Sequence, residues 1–411
     1  MALRYINRPD YEKLLKHHRD TEDIKVLTGV RRCGKSSLLS WLSEDLGRDG
    51  VPTRNIFYRR MDEFGMPVNP DAEWLAGELQ TAIDRADPDH LLYVLLDEIQ
   101  DVEGWERVVR QLHTRPETDV YVTGSNAHVL SSDLATLIGG RYVELRVRPL
   151  SFKEYLSFAE ACGPAFDSRD AAFSEYMRYG GMPALFHLPE WTQDDISELL
   201  RTVYETIILN DVAAHAHITD LNLLSKLVRY VFSTSGNLFS TNKIVGTLAS
   251  AGRRTSAETI ETYLRALIDA LVLSECEQTG LAGREVLRPQ RKFYPVDSGL
   301  GNLARNFAAG DLGFQLEGVV FNELERRGWS VSVGVLRSGE VDFVAERAGE
   351  RAYYQVTESM LGEETRAREL APFNALTDSW EKTVLTADRL CCGVTDRGVR
   401  IVNIEDWLLD E

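Results

Sequence analysis

The chain reads Gly29-Val30-Arg31-Arg32-Cys33-Gly34-Lys35-Ser36 at the point that decides its fold. This stretch matches the pattern G-x-x-x-x-G-K-[ST]. The run Ile-Lys-Val-Leu-Thr at 24–28 predicts a buried strand before it, and residues 36–46 predict a helix after it. Glycines let backbone N–H groups turn towards an anion, and a helix N-terminus adds partial positive charge. The stretch therefore predicts a loop that cradles the phosphates of a nucleotide.

Two side chains of this loop have distinct predicted roles. Lys35 would reach the β- and γ-phosphates, and the Ser36 hydroxyl would bind magnesium. The residues predicted to contact the nucleotide are Gly29, Val30, Arg31, Arg32, Cys33, Gly34, Lys35, Ser36 and Ser37.

A second motif follows about sixty residues later, where residues 91–98 read Leu-Leu-Tyr-Val-Leu-Leu-Asp-Glu. Six apolar residues in a row are typical of a parallel strand covered on both faces. Carboxylates at the C-terminal end of such a strand lie where ligands bind in open α/β sheets. Asp97 is predicted to hold magnesium, and Glu98 to orient and deprotonate a water. The second acid indicates hydrolysis by an activated water.

Composition limits the class of protein. The chain has 411 residues, of which 44% are hydrophobic and 27% charged, with a formal net charge of −18. That charge argues against a surface built for non-specific nucleic-acid binding. No apolar run reaches the length of a membrane span, and the N-terminus has no apolar signal segment. Five scattered cysteines predict neither a disulfide framework nor a zinc site, and we expect a cytoplasmic protein.

The first 149 residues alternate strands and helices, which predicts a parallel sheet with helices on both faces. The predicted strands are 24–28, 54–59, 91–96, 119–123 and 142–147, and the predicted helices are 36–46, 72–85 and 104–114.

Three more residues are candidates for this site. Ser125 and Asn126 follow the fourth strand and could sense the γ-phosphate or the attacking water, although a plain turn fits equally well. Arg141 follows a glycine pair before the last strand. It could stabilise transition-state charge in its own site or in a neighbour's, and the second case requires a homo-oligomer.

The middle of the chain is predicted to form two further domains. Residues 150–219 read as helices, and residues 220–298 have the outline of a winged helix-turn-helix. Residues 221–300 hold ten Lys or Arg and seven Asp or Glu, a local excess of positive charge. If this module binds duplex DNA, the phosphate contacts are predicted to be Arg253, Arg254, Arg284, Arg288, Arg291 and Lys292. A role in domain packing alone is the alternative, because Glu258 and Glu261 lie on the predicted recognition helix.

The last segment, residues 299–411, is predicted to be a separate α/β domain. It places Glu317 on a helix, Asp342 on a strand and Gln355 and Thr357 on the next strand, an order that resembles the restriction-endonuclease-like fold. Metal-dependent cleavage in that fold needs an Asp followed by Glu-x-Lys. Since Gln355 and Thr357 stand at the Glu and Lys positions, we expect a degenerate domain that does not cleave.

Nearly the full chain resembles the prokaryotic AAA+-like P-loop ATPases (archaeal-ATPase type) with a C-terminal restriction-endonuclease-like domain of unknown function. The resemblance implies ATP with magnesium, a winged helix after the ATPase module and a prokaryotic cytosol. No Asn-Lys-x-Asp motif for guanine is present, which also favours ATP. The stretches that carry the resemblance are 29–36, 96–100, 123–126, 140–141, 149–152, 181–183, 294–297 and 340–343.

Three functions are compatible with these features. The first is an ATP hydrolase that couples nucleotide state to conformational change and docks to DNA. The second is a regulatory switch with slow hydrolysis, a protein partner and no nucleic acid. The third, which the sequence favours least, is an ATP-driven nuclease.

Overall fold

The computed structural model describes residues 5–125, 140–281, 290–307, 312–337 and 339–410. These form two compact units. Met1–Arg148 with Asp269–Leu271 make the first, and Pro149–Ile268 with Val272–Glu411 make the second. Among the described residues, no helix is both long and apolar enough to cross a membrane.

The first unit is built on a parallel five-stranded sheet with strand order β2-β3-β4-β1-β5. Its strands are Ile24–Thr28 (β1), Ile56–Arg60 (β2), Leu92–Asp97 (β3), Thr118–Gly124 (β4) and Tyr142–Arg146 (β5). Its helices are Pro9–His18 (α1), Lys35–Arg48 (α2), Ala72–Arg85 (α3) and Trp105–His113 (α4). The predicted strands and sheet are confirmed, with each strand end within two residues of its predicted position.

Strand β3 is buried along its whole length, as its continuous apolar sequence predicts. Val94 and Leu96 belong to a core cluster with Leu75 of α3 and Val109 of α4. Since alternate side chains of a strand point to opposite faces, a strand covered on both faces needs apolar residues throughout. This burial fixes β3 in the sheet and sets Asp97 at its carboxyl end.

A buried ion pair joins β1 and β4, which are neighbouring strands of this sheet. Lys25 of β1 and Asp119 of β4 are 0% and 1% exposed, and Lys25 Nζ lies 2.5 Å from Asp119 Oδ1. Lys25 Nζ also donates to the carbonyl of Thr21 at 2.8 Å. The pair compensates both charges in the interior and fixes the register of β1 against β4.

The second unit contains helices and a mixed sheet with strand order β12-β13-β11-β10-β9-β8-β6-β7. Its helices are Phe152–Cys162 (α5), Arg169–Tyr179 (α6), Gln193–Thr206 (α7), Leu221–Ser233 (α8), Thr241–Ser250 (α9), Ala257–Asp269 (α10), Ser298–Ala304 (α11), Leu312–Arg326 (α12), Glu363–Leu370 (α13) and Ile404–Leu409 (α14). Its strands are Leu273–Gly280 (β6), Arg291–Pro295 (β7), Ser330–Val335 (β8), Glu340–Arg347 (β9), Glu350–Thr357 (β10), Glu381–Thr386 (β11), Gly393–Val394 (β12) and Arg400–Asn403 (β13).

The segment predicted as a winged helix has the expected order of three helices followed by two antiparallel strands, β6 and β7. The strands do not form a separate wing, however. Strand β6 also pairs in parallel with β8, from Gln278 opposite Val333 to Gly280 opposite Val335. The hairpin is therefore the edge of the sheet that the C-terminal segment completes, and the four-domain division stays a prediction.

Two segments of the second unit, 179–181 and 297–300, contact each other although they lie over a hundred residues apart in sequence. Asp297 accepts hydrogen bonds from the N–H groups of Gly181 at 2.7 Å and Leu300 at 3.0 Å. A Cβ at Gly180, whose φ is +79°, would lie 2.2 Å from this carboxylate. A Cβ at Gly299 would lie 1.9 Å from the carbonyl oxygen of Tyr179. The close approach of the two segments explains why glycine stands at positions 180 and 299.

Candidate nucleotide-binding and catalytic site

The loop after β1 has the conformation that its glycines predict. Gly29 has φ +153°, and a Cβ there would lie 2.1 Å from the carbonyl oxygen of Val147. Gly34 has φ +105° and forms the N-cap of α2. The Cys33 N–H donates to the carbonyl of Val30 at 3.2 Å, which closes the turn. Strand β1, this loop and the N-terminus of α2 thus form a compact turn of the kind that binds anions in other proteins.

Lys35 lies inside this turn and is 3% exposed. Its Nζ donates to the carbonyl of Gly29 at 2.9 Å and to that of Val30 at 3.4 Å. The same atom lies 3.9 Å from Glu98 Oε1. The ammonium group thus lies between the loop and the acidic end of β3, and its contact with phosphates stays a prediction.

Asp97 is completely buried at the end of β3. Its Oδ1 accepts a hydrogen bond from Thr123 Oγ1 at 2.6 Å. Burial raises the pKa of Asp97, and hydrogen bonds from Thr123 and Ser36 oppose that rise. The carboxylate and the Ser36 hydroxyl are therefore neighbours, and their role as magnesium ligands stays a prediction.

Glu98 follows in a left-handed backbone conformation, with φ +54° and ψ +48°. Its N–H donates to Thr123 Oγ1 at 2.9 Å, and its Oε2 accepts from Gln100 Nε2 at 2.6 Å. Such a backbone conformation is costly for a residue with a side chain, and it persists where surrounding contacts impose it. Here Thr123 and Gln100 hold the backbone and the carboxylate of Glu98.

The donor set at Asp97 fits a magnesium ion. Asp97 Oδ2 is buried and accepts no hydrogen bond from the described residues, although Arg60 Nε lies 3.8 Å from it. A buried carboxylate oxygen without a donor is costly unless a cation or another donor completes it. Hard oxygen ligands from one carboxylate and one hydroxyl, completed by phosphate oxygens, are what Mg²⁺ takes in nucleotide sites.

The structure does not bring every predicted residue to this site. Ser125 is buried just beyond the end of β4, the strand that carries Thr123. Asn126 lies outside the described residues. Arg141 is exposed and precedes Tyr142, which pairs with Ile24 at the amino end of β1. That end lies about 13 Å from the carboxyl end at 3.3 Å per residue.

A role for Arg141 in the site of its own chain is therefore wrong, and a role in a neighbouring chain stays a prediction. The register instead sets Arg146 beside Thr28, at the carboxyl end of the same strands.

Sequence reasoning missed three residues that shape the site. Thr123 joins Asp97 to Glu98, and Gln100 binds Glu98. Arg8 is buried, and its guanidinium donates to the carbonyl of Cys33 at 2.9 Å, which supports the phosphate loop from behind. Thr123 could have been suspected because it ends the strand after the acidic motif. No local pattern indicates the contact of Arg8.

The predicted DNA contact Lys292 is wrong. Lys292 is 3% exposed in β7, where its Nζ lies 2.9 Å from Glu340 Oε1 and 3.6 Å from Glu317 Oε2. The neighbouring carboxylates raise the pKa of Lys292 despite its burial. A buried ammonium that is already paired with two carboxylates cannot contact a DNA backbone.

Two more predicted DNA contacts are also paired within the chain. Arg253 forms an ion pair with Asp220, and Arg291 forms ion pairs with Glu261 and Glu275. These carboxylates compensate the positive charges of Arg253 and Arg291 within the chain itself, although both side chains are partly exposed.

The remaining predicted DNA contacts have different outcomes. Arg254 is exposed and stays a candidate. Arg284 and Arg288 lie outside the described residues.

The comparisons with known proteins agree with this geometry. A family model for an AAA domain matches residues 21–156, and one for a domain of unknown function (DUF8612) matches residues 170–311. An uncharacterized protein of Haemophilus influenzae is 36% identical over 413 residues and covers 100% of both chains. An uncharacterized protein of Methanocaldococcus jannaschii, MJ1544, is 25% identical and covers 93% of this chain and 85% of its own.

A solved structure shares the fold. The Walker-type ATPase PABY2304 of Pyrococcus abyssi aligns with a TM-score of 0.51 at 14% identity, over 73% of this chain and 96% of that one. The sheet order, the phosphate loop and the acidic strand end are those of a P-loop ATPase fold. The chain belongs to one family with the uncharacterized Haemophilus influenzae protein, and its N-terminal part is an AAA domain.

Proposed function

We propose that this protein binds ATP with magnesium and hydrolyses the β–γ phosphoanhydride, and that the nucleotide state controls its conformation. One observation carries this proposal. Thr123 holds Asp97 and Glu98 together at the end of β3, and Glu98 lies 3.9 Å from Lys35 of the phosphate loop. A cation binder, a carboxylate base and a phosphate-binding lysine within such distances are the parts that hydrolysis of a nucleotide needs.

The loop residues have to exchange contacts when the triphosphate binds. Lys35 now donates to the carbonyls of Gly29 and Val30, and phosphate oxygens would take these donors over. The backbone N–H groups between Gly29 and Ser36 would bind the same phosphates. Because Lys35 is a compact charge on a flexible stem, this exchange needs only a change of its rotamer.

Ser36 and Asp97 would hold the magnesium ion, which neutralises charge on the phosphates when it is bound. Asp97 Oδ2 accepts no hydrogen bond from the described residues, so this oxygen would be the one that contacts the magnesium ion. The bond from Thr123 keeps the other oxygen of the carboxylate occupied and its orientation fixed.

Glu98 would accept the proton of the attacking water. Gln100 donates to Oε2 and Lys35 lies nearest to Oε1, so the carboxylate is oriented before substrate arrives. A positioned general base contributes roughly 10²- to 10⁴-fold to a rate.

The test is the pair of substitutions Glu98→Gln and Lys35→Ala. Glu98→Gln should retain ATP binding and lose roughly 10²- to 10⁴-fold in turnover, because the amide cannot take the proton. Lys35→Ala should weaken ATP binding itself. The matched control is Glu103→Gln, the same chemical change at an exposed residue of the same unit. If Glu98→Gln turns over ATP as fast as the control, Glu98 is not the base.

For the partner, the ion pairs of the second unit favour a protein over duplex DNA. Lys292 is buried, and the charges of Arg253 and Arg291 are compensated by carboxylates of the same unit. Duplex DNA added to the ATPase assay separates the two. DNA docking predicts faster turnover and binding that weakens steeply with salt, and a protein-binding switch predicts no response.

Nuclease activity receives no support from the second unit. The candidate carboxylates Glu317 and Asp342 are buried near Lys292, whose ammonium group already supplies a positive charge there. Asp342 Oδ2 accepts from the N–H of Val356, and Gln355 supplies an amide where a carboxylate would be needed. Magnesium-dependent nicking that disappears in Asp342→Ala would contradict this reading.

We also propose a cytoplasmic setting, since the five cysteines are all unpaired thiols and a reducing compartment preserves them.

A further inference from the structure

A cavity of about 70 Å³ lies within the second unit, between α8, α11 and α12. Its apolar lining comes from Phe232, Pro295 and Val319. Its polar lining includes Arg305 and Asn322, and it is also lined by Ser233, which is exposed. None of these lining residues belongs to the proposed nucleotide-binding site.

No carboxylate among the described residues compensates the charge of Arg305. One of its N–H groups donates to Asn302 Oδ1, but its Nε is buried and has no acceptor in the part of the chain that the structure describes. Burial lowers the pKa of Arg305, and no carboxylate opposes that effect within the described part of the chain. The whole chain has 64 acidic residues against 46 basic ones. Arg305 is partly buried, and a buried N–H group without an acceptor is costly, so an anion in the cavity would satisfy this guanidinium.

Asn322 lines the same cavity, and its side chain needs a hydrogen-bond donor rather than an acceptor. Its Nδ2 donates to the carbonyl of Pro295 at 2.9 Å, which fixes the orientation of the amide. Its Oδ1 is buried and accepts no hydrogen bond from any residue that the structure describes. A ligand that satisfies both residues must therefore accept from Arg305 and donate to Asn322.

The volume limits the size of such a ligand. A water needs about 10–15 Å³ of this kind of space, so the cavity holds roughly five water-sized groups. A tetrahedral oxyanion has five heavy atoms. Phosphate near neutral pH keeps one O–H group, because its second pKa is about 6 to 7 and its third is far higher, whereas sulfate has no O–H group.

We propose that the Arg305 cavity is a binding site for free hydrogen phosphate, a tetrahedral oxyanion that keeps one O–H group near neutral pH. Arg305 would donate to the anion in the planar geometry that suits phosphate oxygens. Asn322 Oδ1 would accept the P–O–H proton, and this contact would select phosphate over sulfate. The site is independent of the proposed ATP site.

The experiment is a calorimetric titration with inorganic phosphate on the full chain saturated with magnesium and a non-hydrolysable ATP analogue. Occupying the phosphate loop removes it as a competing site, and a repeat on Lys35→Ala gives a second background. Sodium sulfate at equal ionic strength is the reference anion. Arg305→Ala removes the cation, and Asn322→Leu removes the acceptor. Arg201→Ala, the loss of an exposed arginine of the same unit, is the matched control.

We expect phosphate to bind at least tenfold more tightly than sulfate, and Arg305→Ala to lose at least tenfold in phosphate affinity. Arg201→Ala should bind as the parent does. Asn322→Leu should lose the preference for phosphate over sulfate. Thermal melts show whether each variant is folded, and Arg305→Lys, which keeps the charge without the planar fork, should retain part of the affinity.

Equal phosphate affinity in folded Arg305→Ala and in the parent would overturn the proposal, as would the absence of any saturable phosphate binding. Equal affinity for sulfate and phosphate would overturn the role of Asn322.

Discussion

Thr123→Val tests the contact on which the proposed active site depends. Valine has nearly the shape of threonine but lacks the hydroxyl that donates to Asp97 and accepts from the N–H of Glu98. The β4 backbone and its packing should therefore stay intact, while both carboxylates lose a common support.

The magnitude follows from the two hydrogen bonds. A bond to a charged acceptor is worth about 1.5–3 kcal/mol, and a neutral one about 1 kcal/mol. Asp97 is completely buried, so the lost bond cannot be replaced by bulk water. Allowing for partial relaxation, we expect the variant to lose about 1.4–2.8 kcal/mol of transition-state stabilisation. This corresponds to a decrease of roughly 10- to 100-fold in kcat/KM.

The assay is steady-state ATP hydrolysis with magnesium, next to thermal unfolding of each variant. Thr118→Val is the matched control, since Thr118 begins the same strand and its hydroxyl donates to the carbonyls of Leu112 and Arg115, away from both carboxylates. Thr123→Ser, which keeps the hydroxyl, should stay within a few-fold of the parent. If folded Thr123→Val hydrolyses ATP within twofold of Thr118→Val, the hydroxyl bridge does not organise the site.

Three further substitutions have expected outcomes. Gln100→Leu should lower kcat with little change in ATP affinity, because Glu98 loses the donor that orients it; an unchanged kcat would contradict this. Burial raises the pKa of Asp297 to about 6, above the usual value near 4, so the folded state binds more protons between those values. Its contribution to stability falls as pH rises through that window, and Asp297→Asn should remove this slope in urea unfolding measured from pH 4 to 7. Lys25→Met should destabilise the chain by about 3–5 kcal/mol, and adding Asp119→Leu should restore part of that; equal losses in single and double variants would argue against the ion pair.

The sequence alone determined the parts of this protein whose causes are local. The phosphate loop was predictable because its glycines, its lysine and the following helix N-terminus are contiguous. The continuous apolar run before Asp97 gave the central strand, since only a strand covered on both faces needs apolar residues at every position. Adjacency in the chain also set Glu98 next to Asp97.

Tertiary structure decided the contacts that depend on which strands become neighbours. Thr123 meets Asp97 only because β4 pairs with β3, and Arg141 lies away from the site because parallel pairing sets it at the amino end of β5. Lys292 reads as a basic surface residue, yet pairing of its strand within the sheet buries it beside Glu317 and Glu340. Patterns in the sequence report the local preferences of the backbone. The burial and pairing of a charge depend on groups far away along the chain, and only the folded structure brings those together.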